Sequence, residues 1–293
     1  MIKKGIILAG GTGSRLFPST LSVNKQLLML YDKPVIYYPL SILMLSGIKD
    51  ILIIVNKGQI DNFKKILKNG QQFGIRIEYA EQYMPKGIPE AFIIGEKFIA
   101  KENIALILGD NFFYGQSLGD ILKKACKNFK SGANIFLKNV KNPENFGVAK
   151  VKNSKIINII EKPKKFLSSH AITGLYFFDN NVVRYAKGLN KSERDELEIT
   201  SVIKKYKKNN KLKYTKLGLG SIWSDTGTVK DMQEVSNYIQ SIDKIQNFKI
   251  ACLEEIGLRN KWLKKKEIIK NISKFKNSEY FNYVYNLIKL RII

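Results

Sequence analysis

The sequence predicts an α/β protein: three layers around a mostly parallel, mixed central sheet, with a small antiparallel extension. Three observations carry that prediction. Short, wholly apolar runs alternate with segments of helical spacing over the first half of the chain. A glycine cluster follows the first of these runs directly. Past Pro143 the rhythm changes to apolar runs joined by short turns. Strands that alternate with helices imply crossover units, hence a parallel sheet covered on both faces.

The elements follow in order. Ile6–Ala9, Ile51–Val55, Ile75–Tyr79 and Ile104–Leu108 read as buried strands, and Pro34–Ser46, Gln59–Lys68 and Pro89–Phe98 as the helices between them. A helix over Leu118–Phe129 leads to a further strand, Ala133–Val140. Val148–Lys152, Lys155–Ile160 and Ile172–Phe178 then read as antiparallel strands, with Asn153-Ser154 as one of the turns. Glu198–Lys207 and Val229–Gln240 return to helix. From about Asn260 the chain is rich in Lys and Asn and carries weak amphipathic helices such as Tyr280–Leu290, which suggests a solvated appendage. The expected division is therefore one domain over 1–259 and an appendage over 260–293.

Composition narrows the class. At 293 residues, 44% of them hydrophobic, the chain can bury a sizeable core. Cys126 and Cys252 fit neither a disulfide framework nor a zinc site and suit a reducing compartment. The first apolar run is too short for a secretory leader. The longest, Val35–Leu45, contains Pro39 and is too short to cross a bilayer. A soluble cytoplasmic protein with no membrane partner is expected. The net charge of +25 could mark nucleic-acid binding. It also suits a bias toward Lys, Asn and Ile, because the lysines are scattered and no recognition motif is visible. No nucleic-acid partner is expected.

Gly10, Gly11 and Gly13, with Ser14 and Arg15, stand where the first strand ends. Glycines let backbone N–H groups approach a ligand, and successive N–H groups form an anion-binding concavity that a guanidinium can complete. Lys25 adds a second cation, so a polyphosphate is expected there. The loop is neither a Walker A sequence nor a dinucleotide fingerprint. Asp110 follows the apolar strand that ends at Leu108, and Asp225 stands in Trp223-Ser224-Asp225-Thr226-Gly227. Two hard carboxylates plus phosphate oxygens suit magnesium. Asp225 could instead cap a helix starting near Thr228. Glu161-Lys162 could offer a carboxylate to sugar hydroxyls and an ammonium to a phosphate, or be a solvated surface pair.

The strings Gly10–Leu16, Asn24-Lys25-Gln26-Leu27 and Tyr31-Asp32-Lys33-Pro34 closely resemble the opening of the sugar-1-phosphate nucleotidyltransferases, in particular the glucose-1-phosphate thymidylyltransferases. The resemblance extends through Thr173-Gly174-Leu175-Tyr176 to Glu254-Glu255-Ile256 and about Arg259. It implies a Rossmann-like nucleotidyltransferase fold and magnesium-dependent transfer of a thymidylyl group from dTTP to glucose 1-phosphate, a first step toward dTDP-rhamnose and related sugars. UTP, CTP or ATP could serve as donor instead. An inactive regulatory relative and a basic nucleic-acid-binding protein are the other classes open to the chain.

The resemblance also implies roles. Arg15, Lys25 and Lys162 would be catalytic. The nucleotide would meet Gly10, Gly11, Gly13, Ser14, Arg15, Lys25 and Asp110, with Gln26, Gln82 and Gly87 at the base. Asn111, Gly147, Glu161, Lys162, Ile172, Gly174 and Arg194 would hold the sugar phosphate. Asp110 and Asp225 would hold the metal. It implies a homotetramer too, to which Leu40–Leu45 could contribute an interface or merely core. His170, the single histidine, matches no functional position and is expected at the surface. The sequence departs from the pattern at Phe146, where Tyr is usual, and at Leu219, where an Arg commonly helps form a second, regulatory nucleotide site.

Overall fold

A computed structural model describes residues 1–275 and 277–290. In chain order its strands are β1 (Lys4–Ala9), β2 (Met29–Leu30), β3 (Lys33–Pro34), β4 (Asp50–Asn56), β5 (Arg76–Gln82), β6 (Ile104–Leu108), β7 (Phe112–Gly115), β8 (Ala133–Asn139), β9 (Gly147–Lys152), β10 (Lys155–Glu161), β11 (His170–Phe178), β12 (Leu212–Lys216) and β13 (Ser221–Ser224). Its helices are α1 (Tyr37–Leu45), α2 (Ile60–Leu67), α3 (Glu90–Ile94), α4 (Glu96–Ile99), α5 (Leu118–Asn128), α6 (Asn181–Lys187), α7 (Ile199–Lys208), α8 (Val229–Gln246), α9 (Leu253–Arg259), α10 (Lys265–Ile272) and α11 (Glu279–Lys289).

The main sheet runs β10-β9-β11-β6-β1-β4-β5, and β8 pairs with β11 and carries β12. Strands β6, β1, β4 and β5 are mutually parallel, so their carboxyl ends share one rim. The antiparallel part is continuous with them, because β11 pairs with β6 through Leu175↔Ile107 and Tyr176↔Leu106. The turn between β9 and β10 places Asn153 and Ser154 at φ 49° and 56°, the double left-handed conformation of a tight hairpin.

Two cores cover the sheet because side chains alternate along each strand. In β1, Ile7 faces the cluster containing Leu43 of α1, Phe63 of α2 and Leu122 of α5. Ile6 faces the opposite cluster, with Phe92 of α3, Val182 of α6 and Val202 of α7. The three layers follow. Leu40, Ile42, Leu43 and Met44 are fully buried, so this stretch is core. A helix apolar all round is a buried helix.

Tertiary pairing moves several boundaries. The helix expected from Pro34 starts at Tyr37, because Lys33 and Pro34 pair with Met29 and Leu30 in a hairpin. Pro39 is accommodated in its first turn, where a missing N–H costs nothing. The helix expected over Pro89–Phe98 divides at Gly95, where a β-carbon would stand 2.9 Å from Ala91 O and from Ile6 Cδ1. The short pieces therefore lie close on the sheet.

The helices past Asn260 are less solvated than their composition suggests. Ile268, Ile272, Val284 and Ile288 form a small core with Cys252. Tyr280 and Tyr283 of α11 donate to Glu254 and Glu255 of α9 at 2.6 and 2.8 Å. Residues 276 and 291–293 of the expected appendage lie outside the described residues. Among the described residues, no helix is long and apolar enough to cross a membrane.

Candidate active site

The glycine loop leaves β1 at the rim of the parallel strands. Gly11 and Gly13 take φ of 104° and 61°, the left-handed region where a side chain is strained. Asn56, at the end of β4, grips the loop: Gly11 N–H donates to Asn56 Oδ1 at 2.9 Å, and Asn56 Nδ2 donates to Gly11 O at 2.8 Å. Gln82 closes β5, is buried, and lies against Gly10 where a β-carbon would project. Its amide nitrogen donates to Glu90 at 2.6 Å. Ser14 and Arg15 form an exposed single turn beyond Gly13.

Lys25 and Gln26 occupy a second short turn, held by Asn24, which accepts from Gln26 N and donates to Ala9 O. Both side chains are buried. Gln26 Oε1 is enclosed and has no hydrogen-bond partner among the described residues. Gly87, at φ 114°, is pressed against the backbone of Leu197, whose N–H donates to Lys86 O at 2.7 Å. The loop after Gln82 is thereby pinned to the segment that contains Arg194.

The two aspartates meet through a pairing far apart in sequence. Strands β7 and β13 form an antiparallel ladder in which Phe112 faces Ser224. Asp110 and Asp225 flank that pair, so the ladder brings them together. Lys25 Nζ joins them, donating to Asp110 Oδ2 at 2.7 Å and to Asp225 O at 3.2 Å. Burial pushes the Asp225 carboxyl above its usual range and the negative charge of Asp110 pushes the same way, while Lys25 and Arg15 pull it back down. Arg15 lies close: a β-carbon on Gly227 would stand 3.0 Å from Arg15 Nη2 and 3.1 Å from Asp225 Oδ2. Helix α8 is capped by Thr228 and Asp231 in a reciprocal box, which leaves Asp225 out of the cap. Two neighbouring carboxylates, one made harder to ionise by burial and by the charge of the other, fit a divalent cation such as magnesium.

A cavity of about 750 Å³ opens beside this rim. Arg15, Asn111, Gly147, Glu161, Lys162, Ile172, Gly174, Arg194 and Asp225 all line it. Gly147 faces Glu161 across the β9–β10 ladder. A β-carbon there would meet Thr200 Cγ2 at 2.9 Å and Glu161 Oε2 at 3.2 Å. The Glu161 carboxyl is raised by burial and by Glu198, against the opposing pull of Thr200, Arg194 and Lys162. Arg194 sits among three carboxylates, 3.8 Å from Glu161, 3.3 Å from Glu196 and 3.5 Å from Glu198. Lys162 is exposed on the cavity wall, and no ion pair engages it among the described residues. The buried Asn111 Oδ1 accepts from Gly174 N at 3.1 Å and from Trp223 Nε1 at 2.6 Å.

The family model described as nucleotidyl transferase matches residues 4–242, which span the glycine loop, both aspartates and the cavity. The chain is a member of that family. A glucose-1-phosphate thymidylyltransferase of Neisseria meningitidis serogroup A is 48% identical over 98% of this chain and 99% of its own. Its counterpart in Mycobacterium tuberculosis is 39% identical over 98% and 99%. At this identity and coverage the chain belongs, within the nucleotidyl transferases, to the glucose-1-phosphate thymidylyltransferases. A Bacillus anthracis structure described as an enzyme of this kind, with sucrose bound, superposes at TM-score 0.74 with 40% identity, covering 80% of this chain and 94% of its own. A UDP-glucose pyrophosphorylase solved with UDP-glucose shares the fold at TM-score 0.72 and 23% identity, covering 82% and 99%.

Several residues of this nucleotidyl transferase site were not legible beforehand. Asn56, Glu90, Thr200 and Trp223 all take part in the contacts above. Asn56 carried a usable signal, a polar residue closing an apolar parallel strand, which is the signal that pointed to Asp110. Trp223 and Thr200 carried none, because their partners are distant in sequence. His170 is half-buried on β11 and does not line the cavity, in contrast to the surface position expected. Burial and then the nearby Lys216 lower its pKa.

Proposed function

We propose that this nucleotidyl transferase moves a thymidylyl group from dTTP to α-D-glucose 1-phosphate, releasing pyrophosphate and forming dTDP-glucose. The observation that carries the reading is Lys25 bonded at once to the Asp110 carboxylate and the Asp225 main-chain oxygen, at the rim shared by the glycine loop and the cavity. Relatives named for this activity, at 39–48% identity over nearly the whole chain, support the substrates.

An oxygen of the sugar phosphate attacks the α-phosphorus in line. The new P–O bond forms as the bond to the β-phosphate bridging oxygen breaks, and pyrophosphate departs with that electron pair. The attacking phosphate is already an anion near neutral pH, so no strong general base is needed. Positioning and relief of anion repulsion are what the protein supplies. Arg15 and Lys25 face the triphosphate, and Lys162 faces the sugar phosphate. Glu161 accepts from sugar hydroxyls, with Asn111, Gly147, Ile172 and Gly174 shaping the pocket and Arg194 steadying Glu161. Gln26 and Gln82 read the base, and the enclosed, unpaired Gln26 Oε1 suits the imide N–H of thymine. Asp110 and Asp225 would hold Mg²⁺, which when bound screens the phosphate oxygens and makes the α-phosphorus more electrophilic.

The test is pyrophosphate release with glucose 1-phosphate and each of dTTP, UTP, CTP and ATP, with and without Mg²⁺. Preference for dTTP and dependence on Mg²⁺ are expected. A preferred UTP, CTP or ATP would reassign the base, and no turnover with any of the four would refute the reading. The same reading makes the enzyme a cytoplasmic homotetramer. Its two buried, free cysteines suit a reducing compartment, and light scattering would report the assembly.

A further inference from the structure

Away from the cavity, a buried charged cluster grips the hairpin that follows Lys25 and Gln26. The hairpin is tied to that short turn by Ile36 N–H donating to Gln26 O at 2.9 Å and Val35 N–H donating to Leu28 O at 3.0 Å. Its own tip is held from outside. Tyr31 N–H donates to Ser236 Oγ and Tyr31 OH to Asp243 Oδ2, both at 3.0 Å and both on α8. Lys33 is 4% exposed, donates to Asp32 and to Ile250 O, and lies 5.4 Å from the ring centres of Tyr38 and Tyr280. Lys249, 7% exposed, bridges Asp32 at 3.3 Å and Asp243 at 2.8 Å.

These contacts close a ring. Helix α8 begins three residues after Asp225 at its Thr228 cap, and its other end presents Asp243 to the hairpin. Lys25, at the base of the hairpin, returns to Asp225 O. Burying two ammonium groups is expensive unless each is fully paired, and nothing in the transfer reaction needs charge at this distance. Other packing could have filled the space, whereas fixed ion pairs specify one placement of the hairpin tip against α8.

We propose that Asp32, Lys33, Lys249 and Asp243 form a positioning clamp that sets Lys25 and Gln26 against Asp225. This rests on the roles assigned to Lys25 and Gln26 under the proposed function. None of the four touches substrate. They act through the hairpin on the nucleotide half of the site, and leave the sugar half, built on β9, β10 and β11, undisturbed.

The test compares Lys249→Met, Asp32→Asn and the conservative Lys249→Arg with Tyr206→Phe. The last removes a buried 2.7 Å bond to Asp179 in the core on the far face of the sheet. In Lys249→Met and Asp32→Asn the KM for dTTP is expected to rise about 10-fold or more, and the preference for dTTP over UTP to narrow, with the KM for glucose 1-phosphate within about twofold of the unaltered enzyme. Lys249→Arg should recover most of the loss. Tyr206→Phe should lower the melting temperature and leave both KM values alone. If Lys249→Met does not fold, Tyr31→Phe, which deletes only the bond to Asp243, carries the same expectation in smaller measure. A dTTP KM that moves no further than in Tyr206→Phe overturns the clamp. An unaltered enzyme that makes no dTDP-glucose counts against the proposed function instead, and calorimetric dTTP binding by the same variants then judges the clamp separately.

Discussion

The indole Nε1 of Trp223 donates to Asn111 Oδ1 across 2.6 Å, and that bond fixes which way the Asn111 amide faces. With Oδ1 engaged by Trp223 and Gly174, Nδ2 is left to donate to Asp110 Oδ1 at 2.9 Å. One side chain thus joins the cavity wall to the Asp110 carboxylate. Trp223→Phe keeps the ring contact with Phe146 and deletes the donor. One lost hydrogen bond, at about 1–2 kcal/mol, predicts a fall of about 5- to 30-fold in kcat/KM. Steady-state kinetics with varied glucose 1-phosphate measures it. Unchanged kinetics would mean that the amide keeps its orientation without the indole.

Lys25 Nζ bonds the Asp110 carboxylate and the main-chain oxygen of Asp225. Lys25→Met should lower kcat about 10²- to 10³-fold, the scale of a lost charge stabiliser. Pyrophosphate release at saturating substrates is the readout. A variant within about tenfold of the unaltered enzyme would remove Lys25 from the catalytic set.

Glu161 is held in the fold at a cost to its ionised form. Its folded pKa is raised, chiefly by burial and then by Glu198. The sign follows from linkage: stability from this group is complete below the unfolded carboxylate pKa of about 4.3 and is lost as pH rises through the higher folded value. Glu161→Gln should therefore melt at a higher temperature than the unaltered protein near pH 7, with the gap closing as pH falls toward 4. The same variant should bind glucose 1-phosphate more weakly. Thermal melts over that range decide the matter, and a variant less stable at pH 7 would contradict it.

Gly174 has no room for a side chain, because a β-carbon would strike the Asn111 amide. Gly174→Ala should lower both the melting temperature and kcat/KM. Gly218→Ala is the matched control: nothing lies within 4 Å of its β-carbon position and no positive φ is required. Its stability should stay within about 0.5 kcal/mol of the parent. Loss of activity in Gly218→Ala but not in Gly174→Ala would reverse this account of the pocket.

The main strands, the glycine loop and the carboxylate closing β6 were legible in sequence because each is a local pattern. Four to six apolar residues make a buried strand, and Gly10, Gly11 and Gly13 permit backbone angles no other residue takes cheaply. That Gly11, Gln82 and Asp110 would gather on one side of the sheet was legible for the same reason, since parallel strands deliver their carboxyl ends to one rim. The elements β7, β12, α6 and α9 were not read. They are short or rich in lysine, and pairing with distant partners, rather than their own periodicity, makes them regular.

Local sequence therefore specifies the layered α/β fold and the chemical types at the rim: guanidinium, ammonium, carboxylate and flexible backbone. Which of these residues meet is settled by packing. Asp225 leaves the helix cap and joins Asp110 because Ser224 pairs with Phe112. Lys33 and Lys249 turn from surface charge into a buried grip on the hairpin because α8 and the 249–250 segment close over it. Both outcomes rest on contacts between residues 100 or more positions apart, as with Lys25 and Asp225 at a separation of 200. Local patterns record the preferences of a segment, whereas such pairings are chosen by the packing of the whole chain.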